Sequence, residues 1–300
     1  MNVLLKLWQK IAPKNLLLFV RFLLQPPHYK LKRKRVLDYY KERDLKKEPA
    51  SVQEAIRFLK FHKFSPLPYK WTLKYENYVP EVFFDESCGL FYAIYLGKKL
   101  YFPKSYSKNK VIWGIRSILK EQDIQSPHLY LTGQFQVDNN SIVVDAGVAE
   151  GNFALSVVER AKRLYLIECD PAWIEALMYT FAPWKEKVIF VSKFLTGNDS
   201  ENSVKIDSLV PIDPLENYFI KMDIEGFERE SLMGMKNLVR ECRNIKMNIC
   251  TYHHLEDLQA IETIIHDYGF KWEVSDGYLL YFQDNEAPSF RKALIRAQKN

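Results

Sequence analysis

The sequence lacks any cysteine pattern that could organise a metal ion or a disulfide framework. Its four cysteines, Cys88, Cys169, Cys242 and Cys250, are scattered, and no two form a C-x-x-C pair. No metal site is expected on that ground, and a few free thiols suit a reducing cytoplasm. An apolar run long enough to span a bilayer is also missing. The longest, Leu16 to Leu24, is interrupted by Arg21, and a span needs ~20 residues. The start, MNVLLKLWQK, has no basic cluster leading into a clean apolar core and a small-residue cleavage site, so a secretory signal is not expected. There is no internal repeat and no low-complexity segment.

What is present is a chain of 300 residues, 47% hydrophobic and 27% charged. That is enough for one large domain with an appendage, or two small ones, and it argues against disorder. The charge is uneven. Residues 1–50 hold 13 Lys/Arg against 4 Asp/Glu, a net of +9, while the whole chain carries only +6, which leaves −3 for the remainder. Near the start, Leu4, Leu7, Trp8 and Ile11 share one helical face and Lys6, Lys10 and Lys14 another. Such a helix either packs its apolar face on the protein or lies on an anionic membrane surface. A cytoplasmic protein is therefore expected, with weak peripheral contact at the inner membrane face through residues 1–24 left open. The run Lys32-Arg33-Lys34-Arg35 reads as a solvated helical face, and no nucleic-acid partner is expected.

The organisation divides into a basic helical arm over 1–80, a small β-element with a connecting helix over 81–140, and a larger domain over 141–300. Helices are predicted over Leu31–Lys46 and from a Ser51/Glu54 capping box to Phe61. Strands are predicted at Val82–Phe84, Phe91–Leu96 and Lys99–Phe102 with turns at Gly89 and Gly97, followed by a helix over Lys110–Gln122. After Ser141, strands and helices alternate: Ile142–Asp145, a helix over Asn152–Arg163, Leu164–Glu168, a helix over Ala172–Phe181, Val188–Ser192, Tyr218–Asp223, one helix over Glu228–Glu241, Ile245–Thr251, and a helix over Glu256–Tyr268. That alternation implies an α/β fold, a doubly wound and mostly parallel Rossmann-like sheet. Lys271–Val274 and Tyr278–Phe282 flank Asp276-Gly277, so an antiparallel terminal hairpin is expected.

The first strand-to-helix loop reads Asp145-Ala146-Gly147-Val148-Ala149-Glu150-Gly151. Glycines there permit tight turning and close backbone approach to a ligand. The next strand ends in Glu168, 21 positions after Gly147, where a carboxylate can accept both ribose hydroxyls. A dinucleotide fingerprint needs G-x-G-x-x-G, but Ala149 replaces the glycine that approaches the pyrophosphate, and Glu150 sets a negative charge beside it. Acidic Asp145 and Glu150 suit S-adenosylmethionine better, because that ligand carries a sulfonium and an ammonium and no phosphate. A nicotinamide-dependent oxidoreductase is the rival enzyme class, and a non-catalytic scaffold using the basic arm for docking is a third reading.

The segment Lys221-Met222-Asp223-Ile224-Glu225-Gly226-Phe227-Glu228 sets three carboxylates within six positions at a strand end. Together with Val144-Asp145-Ala146-Gly147 and Gly151, Glu168-Cys169-Asp170-Pro171, Val204-Lys205-Ile206-Asp207-Ser208-Leu209 and Thr251-Tyr252-His253-His254, it resembles the FkbM-type methyltransferase family over about Ser141 to Phe282. The resemblance implies a class I methyltransferase fold, S-adenosylmethionine as donor, and O-methylation of a sugar, glycan or other small metabolite. The family loop commonly has Ala-Asn where this chain has Val148-Ala149, and Glu150 is the substitute polar group.

On these readings Asp145, Gly147, Glu150, Gly151, Glu168 and Asp170 are the cofactor-binding candidates, and Asp223, Glu225 and His253 the catalytic ones. Asp145 orients the loop, takes the ammonium through water, or caps the following helix. Asp223, Glu225 and His253 each remain open as the base. Glu228 reads as helix N-terminal charge, His254 as a helix-start neighbour, and Asp207 as a partner of a nearby loop.

Overall fold

The computed structural model describes residues 26–299. The amphipathic helix expected near the start, and the membrane contact left open for residues 1–24, lie outside them. Among the described residues, no helix is long and apolar enough to cross a membrane. The chain divides into two compact units. One comprises residues up to Leu73 together with Tyr278–Phe290, and the other Lys74–Gly277 with the residues from Arg291 on.

In the first unit, α1 (Pro27–Lys41) opens on a proline at its first turn, where the missing N–H is not needed. The basic run lies on this helix and is used locally. Arg33 donates to the carbonyl of Leu59 (2.6 Å), and Arg35 donates to those of Asp284 and Glu286 (2.9 Å each). Helix α2 (Ala50–Phe61) buries Val52, Ala55, Ile56 and Leu59, a stripe at helical spacing. The expected capping box does not form. Pro49 holds the N-cap position, so the helix starts early and Ser51 falls inside its first turn. Val36, Tyr40, Val52, Ile56 and Leu59 close a core with Leu280 and Phe282.

The second unit begins with an antiparallel meander of β1 (Val82–Asp85), β2 (Leu90–Tyr95) and β3 (Lys98–Tyr101), followed by α3 (Lys108–Glu121), which Ser107 caps at the N–H of Lys110. Then come β4 (Ser141–Ala146), α4 (Asn152–Val157), β5 (Ala161–Ile167), α5 (Pro171–Phe181) and β6 (Val188–Val191). Two-residue strands β7 (Phe194–Leu195) and β8 (Ser203–Val204) pair with each other, and α6 (Ile206–Leu209) follows. The chain continues through β9 (Tyr218–Met222), α7 (Glu228–Met233), α8 (Lys236–Glu241), β10 (Ile245–Cys250), α9 (Asp257–Asp267), β11 (Lys271–Val274), β12 (Leu279–Tyr281), β13 (Ser289–Arg291) and β14 (Leu294–Lys299).

The main sheet has the order β11-β14-β10-β9-β4-β5-β6. Strands β10, β9, β4, β5 and β6 run parallel, and β14 is antiparallel to both β10 and β11. Strands β4 and β9 are buried along their whole length, as a sheet covered on both faces requires. The doubly wound, mostly parallel sheet expected from the sequence is present. The order reverses between β4 and β9, so a ligand crevice is expected beyond their carboxyl ends.

Three local expectations change. The terminal antiparallel pair exists, but its second member is β14 and not Tyr278–Phe282. The N–H of Ser275 donates to the carbonyl of Leu294 (2.9 Å), while Leu280 and Phe282 are buried in the first unit's core. Burial of these apolar residues outweighs the local turn signal at Asp276-Gly277. The helix expected over 152–163 stops at Val157, because Ala161 already pairs with Ser141 in the sheet. The helix expected over 228–241 breaks at Gly234. A Cβ there would sit 2.7 Å from the carbonyl oxygen of Thr196 and 2.9 Å from the side chain of Lys205, so the backbone is pressed against a neighbouring loop.

Candidate functional site

The loop after β4 is braced from beneath by a buried ion pair. Asp145 and Lys221 lie 3.1 Å apart, at 1% and 4% side-chain exposure. Lys221 also donates to the carbonyls of Ala146 (3.1 Å) and Gly147 (2.6 Å). Asp145 Oδ2 accepts from the N–H of Ala154 (3.2 Å), so it ties the first turn of α4 to the loop. Burial opposes the charge on Lys221, but Asp145 and Asp223 outweigh it and raise its pKa. Asp145 is therefore a strut and helix cap, and it does not face the cleft.

Gly147 is left-handed (φ 72), and a Cβ on it would sit 1.8 Å from the carbonyl oxygen of Asp223. The loop and the end of β9 thus meet backbone to backbone. Gly151 (φ 81) opens α4, and a Cβ there would lie 2.8 Å from Leu177 and 3.1 Å from Phe181. Its smallness serves helix packing. Glu150 is half-buried beside the loop, with its pKa raised by burial, and it is not on the cleft wall.

A cleft of about 390 Å³ opens at the switch point, lined by Gly147, Ala149, Ile167, Glu168, Cys169, Asp170, Trp173, Lys193, Phe194, Leu195, Asp223, Ile224, Glu225 and Phe227. Of the six cofactor candidates, Gly147, Glu168 and Asp170 line it. Glu168 accepts from the N–H groups of Ala149 and Asp170 (2.8 Å each). Each of its oxygens keeps a second lone pair for a ligand hydroxyl. Asp170 caps α5 through the N–H of Ala172 (2.9 Å), with Pro171 in the first turn.

The opposite wall holds the acidic segment. Asp223 Oδ2 accepts from the Tyr130 hydroxyl (2.8 Å) and Oδ1 from that of Tyr252 (2.9 Å). His128 Nε2 lies 3.4 Å from Oδ2, and His253 Nε2 3.6 Å from Oδ1. Burial pushes the Asp223 pKa up, but His128, Lys221 and His253 hold it well below the usual carboxylate range. The Tyr130 and Tyr252 hydroxyls are shifted well upward, first by burial and then by Asp223. Glu225 sits in a left-handed conformation (φ 56), uncommon for a residue with a side chain. Its carboxylate is 86% exposed at the cleft and 3.7 Å from His253 Nε2.

His253 is 2% exposed, with Nδ1 3.0 Å from Glu228 Oε1. Burial disfavours its charge, yet Glu228, Asp223 and Glu225 raise its pKa. Glu228 stands in the first turn of α7, as expected of a helix N-terminal charge. It is also fully buried, accepts from the N–H of Ile224 (2.9 Å) and faces His253. Arg291 Nη1 donates to the carbonyls of Tyr252 (2.8 Å) and His253 (2.9 Å), which fixes this loop. The N–H of His254 donates to Asp257 (2.6 Å), as a helix-start neighbour would. Asp207 accepts from the N–H groups of Asn237 and Leu238 (2.9 Å each) and so caps α8.

The structure thus brings Asp223, Glu225 and His253 together. His128 and Tyr130 were not legible as site residues. They stand in an irregular stretch between α3 and β4, with no motif or periodicity to mark them.

Residues 201–272 match the family model for the methyltransferase FkbM domain, so the FkbM-type resemblance is borne out over about a quarter of the chain. No curated protein matches the sequence. Among solved structures, the chain is similar to the methyltransferase FkbM from Methylobacillus flagellatus KT, at 17% identity and a TM-score of 0.43, over 62% of this chain and 54% of that one. It thus spans about half the length of that protein. It is also similar to precorrin-6y C5,15-methyltransferase from Geobacter metallireducens GS-15 (13% identity, TM-score 0.39, 55% of this chain and 83% of that one). A third is a provisionally assigned methyltransferase from Streptococcus mutans in complex with SAH (16% identity, TM-score 0.36, 55% and 91%).

Proposed function

We propose that this protein transfers a methyl group from S-adenosylmethionine to a hydroxyl of a sugar, glycan or other small metabolite. One observation carries the reading. The cleft between β4 and β9 is rimmed by four carboxylates, Glu168, Asp170, Asp223 and Glu225, against a single lysine, Lys193. A pyrophosphate would be repelled there, whereas a ligand bearing a sulfonium and an ammonium is attracted. The loop at Gly147 leaves no room for a side chain, and the Glu168 carboxylate on the cleft wall supports a role as ribose acceptor. The FkbM-domain match over residues 201–272 supports the same reading.

S-adenosylmethionine, when bound, would supply an electrophilic methyl with a neutral thioether as its leaving group. The chain's residues position the acceptor and take its proton. Holding nucleophile and methyl in line supplies much of the rate. Asp223 faces the cleft with its carboxylate fixed by two tyrosine hydroxyls, which suits it to orient the acceptor O–H. The proton passes into the group formed by Asp223, His253 and Glu228, in which the buried Glu228 keeps Nδ1 of His253 protonated and turns Nε2 towards Asp223.

The test is transfer of an isotopically labelled methyl from S-adenosylmethionine to a panel of hydroxyl and amine acceptors. Label on a hydroxyl, lost in Asp223→Asn, supports the reading. Label found on amines alone, or on no acceptor although the donor binds, contradicts O-methylation.

A further inference from the structure

The ends of β9 and β10 and the stretch ahead of β4 bring three metal-ligating side chains to one point. His128 Nε2 lies 3.4 Å from Asp223 Oδ2 and 3.7 Å from Cys250 Sγ. The three ligand atoms all fall within 4.8 Å of one another. A tetrahedral zinc ion has bonds of ~2.0 Å to nitrogen or oxygen and ~2.3 Å to sulfur, so its ligands stand about 3.3 Å (N to O) and about 3.5 Å (N to S) apart. The observed edges are close to those lengths.

We propose that His128, Asp223 and Cys250 bind one divalent transition-metal ion of the zinc type. The surroundings fit. His128 and Cys250 are 5% and 1% exposed, so the ion would be shielded from bulk water on two sides. The hydroxyls of Tyr130 and Tyr252 hold the Asp223 carboxylate, which is the outer-shell support a ligating carboxylate needs. Only Asp223 of the three also lines the cleft. Thiolate and imidazole ligands favour zinc over magnesium or calcium. On binding, the Cys250 thiol gives its proton to solvent as the S–Zn bond forms, and His128 enters as neutral imidazole. A second group, Asp223, Glu228 and His253, is less suited to a single ion. Its two carboxylates address opposite ring nitrogens, Glu228 at Nδ1 and Asp223 at Nε2, and Glu228 Oε1 is already bonded to the N–H of Ile224. The site shares Asp223 with the proposed methyl transfer, but its test involves no donor or acceptor, so the failure of one reading is distinguishable from the failure of the other.

The 300-residue chain, stripped with a chelator, is titrated with Co²⁺ and then with Zn²⁺. A sulfur-to-cobalt charge-transfer band and tetrahedral visible bands should saturate at one ion per chain, and Zn²⁺ should bleach them. The charge-transfer band should vanish in Cys250→Ser, persist in Cys169→Ser, and need at least tenfold more Co²⁺ in His128→Gln. Zn²⁺ should raise the melting temperature of the wild type and not that of Cys250→Ser. Should Cys250→Ser fail to fold, the His128→Gln titration decides. Absence of any charge-transfer band, a band that follows Cys169, or an unchanged midpoint in His128→Gln would overturn the proposal.

Discussion

The Glu228 carboxylate and the His253 ring face each other at 3.0 Å with almost no exposure on either side chain. A buried acid in this position does two jobs. It accepts from the N–H of Ile224, which closes the turn after β9, and it sets which nitrogen of His253 looks towards Asp223.

Glu228→Ala should remove both and leave His253 among fewer compensating charges. Breaking a buried charged pair by deleting one partner costs about 3–5 kcal/mol. Glu228→Gln keeps an acceptor for Ile224 and should cost less. Urea unfolding of the two variants checks the order. A Gln variant as unstable as Ala would mean that charge, and not the turn, dominates.

Gly147→Ala asks for space that does not exist, since its Cβ would overlap the carbonyl oxygen of Asp223. The backbone there is also left-handed, which adds strain for alanine. The loop and the end of β9 must separate, so donor binding should fall by more than tenfold even if the chain folds. Thermal melts and calorimetry on the same preparation distinguish loss of fold from loss of site.

Lys221→Met should strand Asp145 without its cation in a fully buried position. A loss of about 3–5 kcal/mol is expected. Adding Asp145→Asn should recover part of it, because the stranded charge is then gone. Additive losses in a double-mutant cycle would show that the two residues do not act as a pair.

Asp123 gives a prediction for pH. Its side chain is 2% exposed and paired with Lys74, and it accepts from the Tyr75 hydroxyl and the N–H of Gln125 (2.9 Å). Burial works against the charge, but Lys74, Tyr75 and Gln125 outweigh it, so the pKa is lowered. A carboxylate lowered on folding contributes its full stability above its unfolded pKa of about 3.9 and loses it as pH falls below that value and through its lower folded pKa. Asp123→Asn should cost about 2 kcal/mol at pH 7, as for hydrogen bonds to a charged group. The difference in melting temperature should shrink below about pH 4. A difference independent of pH would rule out the charge as the cause.

The loop side of the cleft was legible because its parts are local. Gly147 and Glu168 are each fixed by one strand end and the turn after it, and the βα alternation sets those ends side by side. The strand order at the edge was not. Asp276-Gly277 is a sound turn signal, but Leu280 and Phe282 gain more by burial in the first unit's core than by pairing with β11. The opposite side of the cleft was legible only in part. Asp223, Cys250 and His253 lie at or just past strand ends, where the fold predicts function, whereas His128 reaches Asp223 only through tertiary packing. Asp145 and Gly151 belong to the loop motif, yet one braces it and the other packs α4.

The most direct measurement is a calorimetric titration of the 300-residue chain with S-adenosylmethionine, S-adenosylhomocysteine, NAD and NADP, repeated on Glu168→Ala. The methionine-derived pair should bind at one per chain, the dinucleotides should not, and Glu168→Ala should weaken binding at least tenfold, about 1.4 kcal/mol. Binding of NAD or NADP in place of S-adenosylmethionine, or an affinity untouched by Glu168→Ala, would contradict a methyl-donor cleft with Glu168 as its ribose acceptor.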